Sequence, residues 1–170
     1  VNLPYTRTLN SPVKDYILIT ASSGWAKEYK LNFNQLSKEG FHYLQKAGRS
    51  SAGLKPWFII YNKKTNHGIS LLLAYPGNWK LDIQPFKERT KIQLTTSPPA
   101  LPEIQTIKSL PIPGALLSEF KGHFDYAAIP IKKYIRQNLQ RNHLPDDWPL
   151  IQYNDYYATF GKFDEQLLKN

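Results

Sequence analysis

Side chains able to do chemistry are few and dispersed in this chain. His42, His67, His123 and His143 have no second His or Cys at ligand spacing, so no metal site is expected, and each reads as a strand, turn or helix-end residue. The serine pairs Ser22-Ser23 and Ser50-Ser51 fall in turns, outside any Gly-x-Ser-x-Gly elbow. Asp146-Asp147, an adjacent acid pair, sits in a linker, whereas acid/base carboxylates must face each other across a substrate. No glycine-rich phosphate loop occurs, and no cofactor is expected. Aromatic rings remain, because an indole suits the apolar face of a pyranose. Trp25 and Trp57 lie in strand-like runs and read as core; Trp79, beside Pro76-Gly77-Asn78, and Trp148, in the linker, are candidate sugar-stacking residues.

The elements that must position these residues are mostly strands. Trp25, Lys27, Tyr29, Leu31 and Phe33 alternate with Ala26, Glu28, Lys30 and Asn32, which predicts a half-buried strand with its apolar side inward. Tyr16 to Ala21, Phe41 to Gln45, Trp57 to Tyr61, Ile69 to Tyr75, Trp79 to Gln84 and Lys91 to Thr95 are further short runs rich in β-branched and aromatic residues. Turn residues separate them, and the spacing predicts a sandwich of antiparallel sheets. The runs at 57–61 and 69–75 are almost continuously apolar, as expected of strands covered on both faces. From Ser97 to Pro113, five prolines hold an extended connector around a short strand at Ile104 to Lys108. A helix follows, with Ile131, Tyr134, Ile135 and Leu139 on one side and Lys132, Lys133, Arg136, Gln137 and Gln140 toward water. Either Asp125 caps an early start or Pro130 occupies the first turn.

Composition agrees with a folded chain. With 170 residues, 41% apolar and 14% aromatic, it can bury one sizeable core. The absence of Cys excludes disulfides and thiolate chemistry. No apolar stretch approaches the roughly 20 residues of a spanning helix, so a soluble chain and no membrane partner are expected, with the compartment left open. The net charge of +9 is scattered, with no basic run longer than Lys63-Lys64 or Lys132-Lys133, and no nucleic-acid partner is expected. Residues 148–169 read as a strand, a loop and a helix opening, the start of a second domain cut short.

Linked motifs now carry a resemblance. Gly24-Trp25-Ala26-Lys27-Glu28, Ala47-Gly48-Arg49-Ser50-Ser51, Lys55-Pro56-Trp57-Phe58-Ile59 and Leu73-Ala74-Tyr75-Pro76-Gly77-Asn78-Trp79 occur in an order that resembles the amino-terminal domain of bacterial α-galactosidases of glycoside hydrolase family 36, the melibiase group. That family has a Gly-Arg-x-Ser turn leading into a Pro-aromatic strand, then Ala-Tyr-Ser-Gly-Asn-aromatic; Pro76 stands here at the place of that Ser. Trp148 to Ala158 resembles the family's passage into its catalytic barrel.

The resemblance implies a mainly β fold: an antiparallel β-supersandwich with one C-terminal α-helix over residues 1–145, then a linker and truncated (β/α)8 barrel stub over 146–170. It implies a non-catalytic domain of a retaining hydrolase in carbohydrate metabolism, whose two catalytic carboxylates lie outside this chain. The implied partners are the barrel of the same parent chain, an α-galactoside in the full enzyme, and, as a further option, other copies in a homo-oligomer. Asn154 matches a family Asn of the first barrel strand, and Tyr156 stands where the family commonly has a pocket-lining Trp; both are implied substrate-binding residues. Arg49 is expected to tie its turn to a neighbouring carbonyl or carboxylate. The alternative from another class is a freestanding carbohydrate-binding β-sandwich module using Trp79 or Trp148 as its platform.

Overall fold

Alternating and continuous apolar runs have to bury themselves in different ways, and both solutions are present. The computed structural model describes residues 3–23, 30–97 and 114–138. Their strands are β1 (Leu3–Leu9), β2 (Tyr16–Ser22), β3 (Leu31–Gln35), β4 (Phe41–Gln45), β5 (Leu54–Asn62), β6 (His67–Ala74), β7 (Asn78–Phe86), β8 (Arg89–Ser97) and β9 (Gly114–Lys121). The helix α1 (Ala128–Asn138) follows a 3-10 turn at Phe124–Ala127. A four-stranded sheet has the order β1-β8-β7-β4 and a five-stranded sheet the order β3-β2-β5-β6-β9, with antiparallel pairing between neighbours. The expected mainly β, antiparallel two-sheet architecture with a C-terminal helix is therefore present, and neither sheet closes into a barrel.

Period-two burial builds the main core between the sheets. Trp79, Leu81 and Ile83 of β7 and Ile92 and Leu94 of β8 meet Leu18 of β2, Phe58 and Ile60 of β5, and Ile69, Leu71 and Leu73 of β6. The intervening residues Ile17, Ile19, Ile59 and Tyr61 turn to the other side of the five-stranded sheet. There they form a second apolar layer, covered by Ala127 of the 3-10 turn with Trp57, Phe120 and Phe124. Double-sided burial explains why the β5 and β6 runs carry almost no polar residues.

Gly68 is needed within that second layer. It lies between Tyr61 and Phe120 in the ladder, and their rings stack at 6.0 Å above it. A Cβ there would stand 2.5 Å from the Phe120 ring and 2.8 Å from the Ile60 carbonyl oxygen.

Some expectations are corrected by strand position. On β3 the apolar side chains are the exposed ones: Phe33 is 54% exposed, while Asn32 and Asn34 are more covered. The register puts Phe33 opposite Ile19 and Asn34 opposite Leu18, so the apolar face of β3 joins the second layer at its edge, outside the main core. Asn34 is accommodated on the inner side by donating to the Leu18 carbonyl at 3.4 Å. Pro130 lies in the first turn of α1, whereas Asp125 lies inside the 3-10 turn, whose N-cap is His123. Lys132, Lys133, Arg136 and Gln137 face water as expected; Ile131 and Tyr134 are half-buried and Ile135 is exposed. Strands β1 and β9 were not expected from the sequence. Residues 25–29 of the alternating run, the Ile104 to Lys108 strand, Leu139, Gln140 and the barrel stub lie outside the described residues.

Gly68→Ala is predicted to cost about 1–3 kcal/mol by forcing the Phe120 ring aside, read as a lower urea midpoint. An unchanged midpoint would contradict the close approach described here.

Candidate functional site

The two most specific sequence motifs fold into one corner. Residues 48–53 form a turn between β4 and β5, and residues 75–77 form the turn between β6 and β7. Gly48, at φ +76°, turns its N–H to Asn78 Oδ1 at 2.8 Å, a backbone shape that suits glycine. The Ser50 N–H donates to the Pro76 carbonyl at 2.8 Å, and the Trp79 indole N–H donates to the Ser50 carbonyl at 2.7 Å. From the β4 side, the Tyr43 hydroxyl donates to the Ala52 carbonyl at 3.3 Å and accepts the Leu54 N–H at 3.2 Å. Backbone groups in the corner are thereby satisfied by side chains of the sheets and by the facing turn, which fixes the loop on a rigid base.

Trp79 is accordingly a core residue, and the sugar-stacking assignment is corrected. It is 1% exposed, and its ring packs against Tyr43 at 5.0 Å and Phe58 at 5.1 Å. No indole face is open to a pyranose. Trp57 is half-buried against the second layer, as its strand position led one to expect. Arg49 rides on the corner, exposed, with its carbonyl accepting the Ala52 N–H at 3.4 Å. The expected side-chain tie to a carbonyl or carboxylate is not made among the described residues, so Arg49 presents its charge outward. Trp148, Asn154, Tyr156, Asp146, Asp147, His143 and Trp25 lie outside the described residues.

Strand register creates a charged cluster that linear spacing hides. His42 on β4 stands opposite Asp82 on β7, on the outer face of the four-stranded sheet. Asp82 Oδ1 lies 2.6 Å from His42 Nδ1, and Oδ2 lies 2.8 Å from Lys80 Nζ. The Asp82 side chain is only 10% exposed. Burial pushes its carboxyl up, but the hydrogen bonds from Lys80 and His42 and their charges outweigh this and hold it below the usual carboxylate value. His42 is thus an oriented imidazole rather than an isolated one. His123 likewise has a partner, Asp125 Oδ2 at 3.0 Å, on the exposed 3-10 turn. Among the described residues, no group of three or more His, Cys, Asp or Glu side chains could hold a metal ion, and no helix is long and apolar enough to cross a membrane.

Two clefts open among the described residues. One, of about 440 Å³, opens where β1 faces the β5–β6 hairpin and is lined by both polar and apolar side chains. The other, of about 450 Å³, lies over the second layer between Phe33, Tyr61 and Phe124. Besides Phe33 at its edge, Leu31, Tyr126, Ile129 and Ile135 are exposed elsewhere on β3, the 3-10 turn and α1.

Trp79→Phe is expected to lower stability by about 1–3 kcal/mol in urea denaturation, through the orphaned Ser50 carbonyl and the smaller ring; an unchanged midpoint would argue against the clasp. Asp82 gives a pH signature. Because its folded value is lowered, its contribution is present above the unfolded carboxylate pKa and is lost as pH falls through the folded value. Asp82→Asn should therefore be less stable than the parent at pH 7, and the gap should narrow as pH drops below about 5, followed by thermal melts across pH. A gap independent of pH would contradict the ion-paired Asp82.

No family model matches the sequence, and no curated protein does either. Solved structures do match. The chain is similar to the family 36 α-galactosidase AgaA A355E of Geobacillus stearothermophilus in complex with 1-deoxygalactonojirimycin, with TM-score 0.70, 14% identity, and coverage of 96% of this chain and 23% of that one. AgaB of the same organism gives TM-score 0.69 at 14% identity with the same coverage. The α-galactosidase of Lactobacillus brevis gives TM-score 0.61 at 18% identity, covering 78% of this chain and 18% of that one. This chain therefore spans less than a quarter of the length of these structures, and at such identities what it shares with part of each of these α-galactosidases is the fold.

Proposed function

We propose that this chain is the non-catalytic amino-terminal domain of an α-galactosidase-like retaining glycoside hydrolase, over residues 1–145, followed by a linker and the start of the catalytic barrel over 146–170. The observation that carries the reading is the fold itself, matched over 96% of this chain and 23% of a whole α-galactosidase. The corner adds support, because the motifs that resemble the family, at 47–51 and 76–79, are the segments clasped together there. Chemistry belongs to the barrel in this account. The domain packs on that barrel, shapes the rim of its pocket and supports an oligomer.

The docking surface is the open apolar side of the five-stranded sheet, where Leu31, Phe33, Tyr126 and Ile129 are exposed. Asn154 and Tyr156 line the sugar pocket from the first barrel strand, and Trp148 is a candidate stacking residue at its approach. A freestanding carbohydrate-binding module is the weaker reading, since burial removes Trp79 as its platform.

The test pairs the intact mass of the natural protein with hydrolysis of a chromogenic α-galactoside by that protein and by the 170-residue chain. A long parent that cleaves, an inert 170-residue chain and a loss of about tenfold or more in kcat/KM for Asn154→Ala in the parent are expected. A natural protein of 19.7 kDa, or a long parent inert on α-galactosides, would overturn the proposal.

A further inference from the structure

We propose that the cleft between β1 and the β5–β6 hairpin binds a small neutral polyhydroxylated ligand of the monosaccharide or polyol class. The inference stands on the cleft alone and does not depend on the barrel.

Its floor carries two nearly buried polar side chains with hydrogen-bond donors left over. Asn62, at the end of β5, is 3% exposed, and its Oδ1 accepts the N–H groups of Lys64 at 2.9 Å and Thr65 at 3.3 Å. That arrangement fixes the amide orientation and points Nδ2 the other way. Nδ2 donates to no group among the described residues. Tyr16, at the start of β2, is 7% exposed, and its hydroxyl accepts the Ser11 N–H at 3.3 Å. Its own proton has no acceptor among the described residues. Both residues line the cleft. The Asn62 Nδ2 is not sealed off from the cleft, so an acceptor held there can meet it.

The mouth selects for charge. Arg7 of β1 and Glu119 of β9 form an ion pair across the edges of the two sheets, and both line the cleft. The Arg7 guanidinium is thus already matched by the Glu119 carboxylate, and neither is left as an uncompensated charge for a free ion. Leu9, Ile60 and Ile69 supply an apolar wall. Polar groups beside apolar side chains, in a cleft of about 440 Å³, match a ligand that alternates hydroxyls with C–H faces.

Nitrogen-15 NMR titration of the 170-residue chain tests this, with galactose, glucose and myo-inositol as probes and acetate and phosphate at matched ionic strength as controls. Saturable shifts at the Tyr16, Asn62, Thr65 and His67 amides are expected with at least one neutral probe below about 50 mM. Asn62→Asp keeps the oxygen that caps the turn and removes the donor, and Tyr16→Phe keeps the ring. Each should weaken binding about three- to tenfold, the worth of one hydrogen bond, while the spectrum stays folded. The proposal is overturned if no neutral probe gives saturable shifts at these amides, if phosphate or acetate saturates them in place of the neutral probes, or if both folded variants bind as the parent does.

Discussion

The corner between the β4–β5 and β6–β7 turns depends on how Trp79 is held. One indole does two jobs: its rings fill the main core between Tyr43 and Phe58, and its N–H anchors the Ser50 carbonyl in a turn remote in sequence. Sheet packing and loop placement are coupled through this residue, because loosening the ring also releases the corner. A buried indole without a partner for its N–H would be costly, and here the partner is a loop carbonyl that itself needed a donor. The result is a loop as well positioned as a strand, with Arg49 at its exposed tip.

A second constraint comes from the five-stranded sheet. Its central strands are apolar on both faces, so a two-layer sandwich leaves one face wanting cover. The 3-10 turn supplies part of that cover through Ala127 and Phe124, the latter meeting Phe33 edge-on at 5.3 Å. Around this contact Phe33 and Ile129 remain 54% and 62% exposed. Exposed apolar surface next to an incompletely covered sheet face is what a domain that packs on a larger body would retain.

How much of this was legible in the sequence varied with the kind of information required. Phe41 to Gln45 matched a strand residue for residue, and the apolar runs at 57–61 and 69–75 gave away central, doubly covered strands. Local pattern suffices where burial is decided by the strand's own alternation. It misled at Leu31 and Phe33, because the period of two says that a strand has an apolar side and not which layer that side faces. β1 was hidden by its proline and polar residues, which an edge strand tolerates. The His42–Asp82 pair could not be seen at all, since it exists only through the register of β4 on β7. Trp79 beside a Pro-Gly turn read as loop-edge surface, yet it is the first inward position of a strand, and one residue of register reverses its meaning.

Hydroxyl-radical footprinting of the proposed longer parent against the 170-residue chain tests the central claim most directly, since Phe33 and Tyr126 are both reactive and exposed here. The account predicts that both are strongly protected in the parent, while a corner side chain such as Tyr75 changes little beside them. Equal labelling of Phe33 and Tyr126 in the two proteins would contradict a domain that docks through this face.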